Sequence, residues 1–68
     1  MKDSQRMTDT QEARAFGIAR IIVESGAGAG RSARERIVAV APWTVSRWND
    51  ETFRYCVRWI ELLEFNRN

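Results

Sequence analysis

The sequence predicts an all-α fold, a single small domain of four helices over about 10–24, 33–39, 42–49 and 51–65. Three observations carry this. Apolar residues recur three and four apart through two long stretches, the spacing that lines one side of a helix. Signatures in which a short polar side chain is followed three residues on by Glu stand at Asp9-Thr10-Gln11-Glu12 and Ser32-Ala33-Arg34-Glu35, each reading as a helix start. The single proline, Pro42, opens the stretch Pro42-Trp43-Thr44-Val45-Ser46-Arg47-Trp48-Asn49, and proline suits a first helical turn because its missing N–H would be orphaned there anyway.

Residues 1–8 are polar, mixed in charge and without period, so a flexible arm is expected there and one domain over 9–68. In the first helix Ala15, Phe16, Ala19, Ile22 and Val23 form the apolar stripe, with Ile18 and Ile21 beside it and Arg14, Arg20 and Glu24 toward solvent. Gly17 weakens that helix by up to about 1 kcal/mol relative to alanine. Gly26 suits a left-handed helix end, and Gly26, Gly28 and Gly30 read as a flexible connector that lets the next helix cross at any angle. A phosphate-binding loop is not expected, since neither a Gly-Lys-Ser/Thr ending nor a strand-helix-strand context surrounds these glycines.

The second helix starts near Ala33, and Ala39, Val40 and Ala41 leave room only for a tight bend before Pro42. These proportions are those of a helix-turn-helix. In the third helix Val45 and Trp48 are expected to face the core, while Trp43, Ser46 and Arg47 face outward. Asp50 is expected to cap the last helix, which carries one apolar stripe of Phe53, Cys56, Val57, Ile60 and Leu63 and a second of Tyr55, Trp59 and Leu62. So wide an apolar circumference needs two surfaces to bury against. Either the domain wraps the helix entirely, or Tyr55, Trp59 and Leu62 meet a twin subunit in a homodimer.

Val45-Ser46-Arg47-Trp48, with Val38-Ala39-Val40 before it and Leu63-Glu64-Phe65 after it, resembles the DNA-binding core of the phage lambda CII-type regulators over roughly Arg31 to Phe65. Ala39 stands where that family places a turn glycine, and Glu35 where it has a small residue. The resemblance implies a phage or prophage transcriptional regulator with the third helix in the major groove. The family's extra C-terminal oligomerising segment has no counterpart here, so its tetramer is not carried over.

The formal charge is +2, unevenly spread: residues 26–48 hold Arg31, Arg34, Arg36 and Arg47 against Glu35 alone. A positive field on the proposed motif suits phosphate. Cys56 is the only cysteine and histidine is absent, so neither an intrachain disulfide, a zinc site nor any other cofactor is expected, and no set of groups suggests an enzyme. The apolar run from Phe16 to Val23 is broken by Arg20 and is too short to span a membrane, so a cytoplasmic chain is expected.

For double-stranded DNA the residues divide by role. Arg31, Ser32 and Arg34 serve as phosphate contacts at the start of the second helix. Arg47 suits guanine O6 and N7, Ser46 a base or phosphate, and Thr44 a hydroxyl or methyl contact. Arg47 has a plainer alternative in an ion pair with Asp50. Trp43 stays open among a thymine contact, burial against the first helix, and an anchor for protein. The last choice supports the competing expectation, a small helical phage adaptor or inhibitor that binds a host protein through Trp43 or through Tyr55 and Trp59.

Overall fold

The computed structural model of the chain describes residues 8–67, and every element among them is helical. The arm expected over 1–8 lies outside the described residues, apart from Thr8. That residue is a helix cap rather than part of an arm: its Oγ1 accepts from the Gln11 N–H at 3.1 Å while its own N–H donates to Gln11 Oε1 at 3.1 Å. Helix α1 (Asp9–Ser25) therefore starts one residue before the expected signature, and Asp9 and Glu12 fall in its first turn, where carboxylates favour the helix dipole.

Ala15, Ala19, Ile22 and Val23 of α1 are buried as the stripe requires, and small residues at 15 and 19 let α4 (Asp50–Arg67) approach closely. The Cys56 thiol of α4 donates to the Ala15 carbonyl at 3.3 Å, the Trp59 ring meets Phe16 edge-on at 4.6 Å, and Arg67 donates to the Val23 carbonyl. Position advances along both helices together, so α1 and α4 run parallel. Parallel neighbours cannot be joined by a short hairpin loop. The intervening chain must return to the starting end, and it does so through the glycine connector, α2 (Ala33–Val40) and α3 (Thr44–Arg47).

The connector is a built turn, contrary to the flexible linker expected. Gly26 ends α1 at φ 73° with its N–H on the Ile22 carbonyl, and Ala29 and Arg31 donate back to Gly26 and Gly28. Arg36 fixes it from α2. Its Nε donates to the Ala27 carbonyl at 2.8 Å, one terminal nitrogen reaches the Ile22 carbonyl at 3.4 Å, and the other pairs with Glu64 of α4 at 3.1 Å. Gly28 is required beneath this contact, because its φ is 69° and a Cβ there would stand 2.9 Å from Arg36 Cγ.

Helix α2 opens on the expected Ser32/Glu35 capping box and buries Ile37. The third helix is shorter than expected. Val45 and Ser46 donate to carbonyls three residues back, Pro42 and Trp43, so the chain from Pro42 makes a tight turn, and α3 proper has 4 residues. Its facing is also rotated from expectation: Thr44 is fully buried with its hydroxyl donating to the Ala41 carbonyl at 2.7 Å, and Val45 is 63% exposed. The buried Thr44 donor satisfies its hydrogen bond within the bend, which lets a polar residue take the inward place assigned to Val45. Asn49 rather than Asp50 caps α4, its Oδ1 accepting from the Thr52 N–H at 2.8 Å. Phe53, Cys56 and Ile60 then complete the core, with Trp48 set edge-on against Phe53 at 5.8 Å.

Three stability outcomes follow. Gly28→Ala is expected to cost roughly 1–3 kcal/mol, through left-handed strain and displacement of Arg36. Gly17→Ala has nothing within 4 Å of the new Cβ and should raise stability by up to about 1 kcal/mol, both read by urea denaturation. Thr52 is fully buried with Oγ1 unpartnered, so Thr52→Val should raise the melting temperature, by about 1 kcal/mol of stability. A lower melting temperature would show that the hydroxyl is satisfied in solution.

Candidate nucleic-acid interface

The bend between α2 and α3 is set by Ala41, buried at φ −134° and ψ 73°, whose carbonyl accepts both the N–H and the hydroxyl of Thr44. No left-handed residue is used, so the turn works with Ala39 inside α2. Beyond the bend the single turn of α3 presents Trp43, Val45, Ser46 and Arg47 to solvent. Thr44 is withdrawn from any base contact by its burial, which corrects its expected role. The Ser46 hydroxyl donates to the Trp43 carbonyl at 3.3 Å and remains exposed to accept.

Trp43 and Arg47, four apart, stand on the α1 side. There they line a cleft of about 500 Å³ together with Arg14, Gly17, Ile18, Ile21 and Trp48. Trp43 is 54% exposed, so it is neither buried against α1 nor fully free. On the opposite side of α3, Val45 and Arg34 border a shallow hollow above Phe53. Arg34 is held there by its guanidinium stacking over the Phe53 ring, 4.5 Å from the centroid. Arg34 stays exposed to solvent in that position.

The positive field differs from the one expected. Arg36 is buried and bonded to two carbonyls and Glu64, so it contributes structure in place of surface charge. Arg31, Arg34 and Arg47 remain exposed, and α4 adds Arg54 and Arg58, which the sequence pattern assigned only to a narrow solvent face. Both border a broad groove of about 730 Å³ whose other wall is Ser32, Ala33 and Arg34. The signal for this was an arginine pair four apart, uninformative until α2 is known to lie across it. Asp50 pairs with Arg54 at 2.7 Å, not with Arg47, and at that exposure the pair holds Arg54 only loosely. Ser32, the cap of α2, is exposed beside Arg31 and Arg34, with its Oγ accepting from the Glu35 N–H at 3.2 Å.

The second apolar stripe of α4 does not form one open face. Trp59 is half-buried under Phe16, Tyr55 is half-buried with its ring edge toward Trp59 at 6.4 Å, and Leu62 alone of the three is exposed. Phe16 of α1 packs on Trp59, one of the two aromatic anchors expected for a twin subunit, while Tyr55 borders Trp59 on α4 itself.

Among the described residues no three His, Cys, Asp or Glu side chains gather as metal ligands, and no helix is long and apolar enough to cross a membrane. No protein-family model, curated protein or solved structure matches the chain.

Cys56 lies against the Ala15 backbone, and burial pushes its thiol up from 9.0 to about 12. The protonated thiol thus favours the folded state in full below pH 9, and this contribution is lost as pH rises from about 9 to 12. A thiol reagent at pH 8 should leave the native protein unmodified and label it after addition of urea. The Cys56→Ala variant should show a flatter loss of stability across the same alkaline range.

Proposed function

We propose that this chain is a sequence-specific DNA-binding transcriptional regulator of the phage CII-like kind, with α2 and α3 as its helix-turn-helix. The observation that carries the reading is the tight bend at Ala41, which separates two helices and leaves the Arg47 guanidinium exposed at its outer end. Among the described residues no carboxylate pairs with it. Its planar fork meets guanine O6 and N7 from the major groove, a contact worth about 1–3 kcal/mol of discrimination. Ser46 and Trp43 flank it, the first offering a hydroxyl to a base or phosphate and the second an apolar edge to a thymine methyl or a sugar. Because α3 is a single turn, few bases are read directly.

Affinity in this scheme comes from phosphate. Arg31 and Arg34 with the cap Ser32 approach one strand at the start of α2, and Arg54 and Arg58 extend the basic border along α4 as far as Glu61, whose carboxylate ends it. About four such contacts give a slope of roughly −3 to −4 in the logarithm of affinity against the logarithm of salt.

Selection from random duplexes at two salt concentrations tests this. Arg47→Ala is expected to abolish preference for the selected sequence while leaving non-specific binding intact. Arg34→Ala should weaken all duplexes alike and reduce the salt slope by about 1. Equal loss on every sequence for Arg47→Ala refutes the role given to that residue. Salt-insensitive binding refutes the phosphate track.

A further inference from the structure

The cleft between α1 and α3 has a chemistry that its own chain can match. Gly17, Ile18 and Ile21 line it from α1 and Trp43 from the α3 side, and nothing stands within 4 Å of a Cβ placed at Gly17. Ile21 is 57% exposed and Trp43 54%, so two large apolar side chains face solvent across one cleft. Arg14 and Arg47 stand at the edges, no carboxylate lines the cleft, and among the described residues neither arginine has an ion-pair partner.

The opposite chemistry is found at the end of α4. Phe65 is 77% exposed and Leu62 43%, and, three apart, they share one face. Glu61, four residues before Phe65, puts an exposed carboxylate beside them, with the exposed Arg58 one turn further back beside Leu62. Phe65 does not reach the cleft of its own chain, whose lining it does not enter.

From these two halves we propose that the α1–α3 cleft receives the end of α4 from a second copy of this chain. Phe65 and Leu62 of one copy seat between Ile21 and Trp43 of the next, and Glu61 meets Arg14 and Arg47. The two surfaces differ, so the contact is head-to-tail and each pair keeps one free cleft and one free helix end, through which further copies add to a closed ring or an open filament. An aromatic anchor in an apolar cleft flanked by opposite charges is the pattern that concentrates binding energy in few residues. A filled cleft covers Trp43 and Arg47, so assembly opposes duplex binding; this last consequence alone rests on the function proposed above.

The test is a mixing experiment read by sedimentation equilibrium without DNA. The natural chain should associate with rising concentration. Gly17→Trp, which fills the cleft from a position with open space, and Phe65→Ala, which removes an exposed anchor, should each weaken self-association about tenfold or more. Mixed together they should form a one-to-one pair and nothing larger, since the first retains its helix end and the second its cleft. Circular dichroism checks that Gly17→Trp is folded; should it not be, the double variant Arg14→Glu, Arg47→Glu serves as the blocked partner. A natural chain that stays monomeric overturns the proposal, as does Gly17→Trp associating normally or a mixture that remains monomeric. Because DNA is absent, none of these failures bears on the duplex-binding experiment.

Discussion

The guanidinium of Arg36 occupies the place where α1 ends, the glycine connector turns and α4 runs past, and it bonds to all three while belonging to α2. A buried cation is tolerated only when its charge and donors are matched, and here two main-chain carbonyls and Glu64 provide the match. The Ala27 carbonyl of the connector takes Arg36 as its donor, while the Ile22 carbonyl, which already accepts the Gly26 N–H, takes Arg36 in addition. Arg36 therefore fixes the connector's path, and the path fixes how α2 crosses the other helices. Lysine would not substitute, since one ammonium cannot present the planar fork that reaches three separated acceptors.

The parallel course of α1 and α4 explains why arginine is needed at this end. Parallel helices bring ends of like partial charge together, an arrangement that antiparallel packing avoids. Near the C-terminal ends Arg36 and Arg67 donate to carbonyls of the last turns of α1, which has no basic residue of its own there. At the N-terminal ends Asp9 and Glu12 of α1 and Asp50 and Glu51 of α4 fall in the first turns. The same topology makes the crossover long. More than twenty residues lie between the two helices, and the exposed features on α2 and α3 are side chains of this return path.

Much of the fold was legible because it rests on local rules. The Ser32/Glu35 capping box, the left-handed Gly26 and the core positions Ala15, Ala19, Ile22, Phe53, Cys56 and Ile60 follow from spacing and cap chemistry. Misreadings arose where tertiary partners decide. Arg36 looks like surface charge because its acceptors come from residues 22, 27 and 64, which no local pattern joins. Thr44 and Val45 exchanged places because a hydroxyl that reaches the Ala41 carbonyl can be buried at little cost, and hydropathy alone ranks valine first. Trp59 lost its open face to Phe16, a residue more than forty positions away. Of the candidate site, helical spacing turned Trp43, Ser46 and Arg47 outward and all three are exposed, whereas Arg54 and Arg58 join Arg34 only through the crossing of α2 over α4.

The brevity of α3 has a consequence for how tightly its surface is held. Only Arg47 and Trp48 make main-chain bonds of full α-helical span there, to Trp43 and Thr44, so the segment can open without disturbing the long helix pair. Amide protons of this turn should exchange with solvent sooner than those of α1, and a ligand that gripped Arg47 would have to hold the turn closed as it bound. Part of its attraction would then be consumed in ordering, which would favour rapid release over long residence.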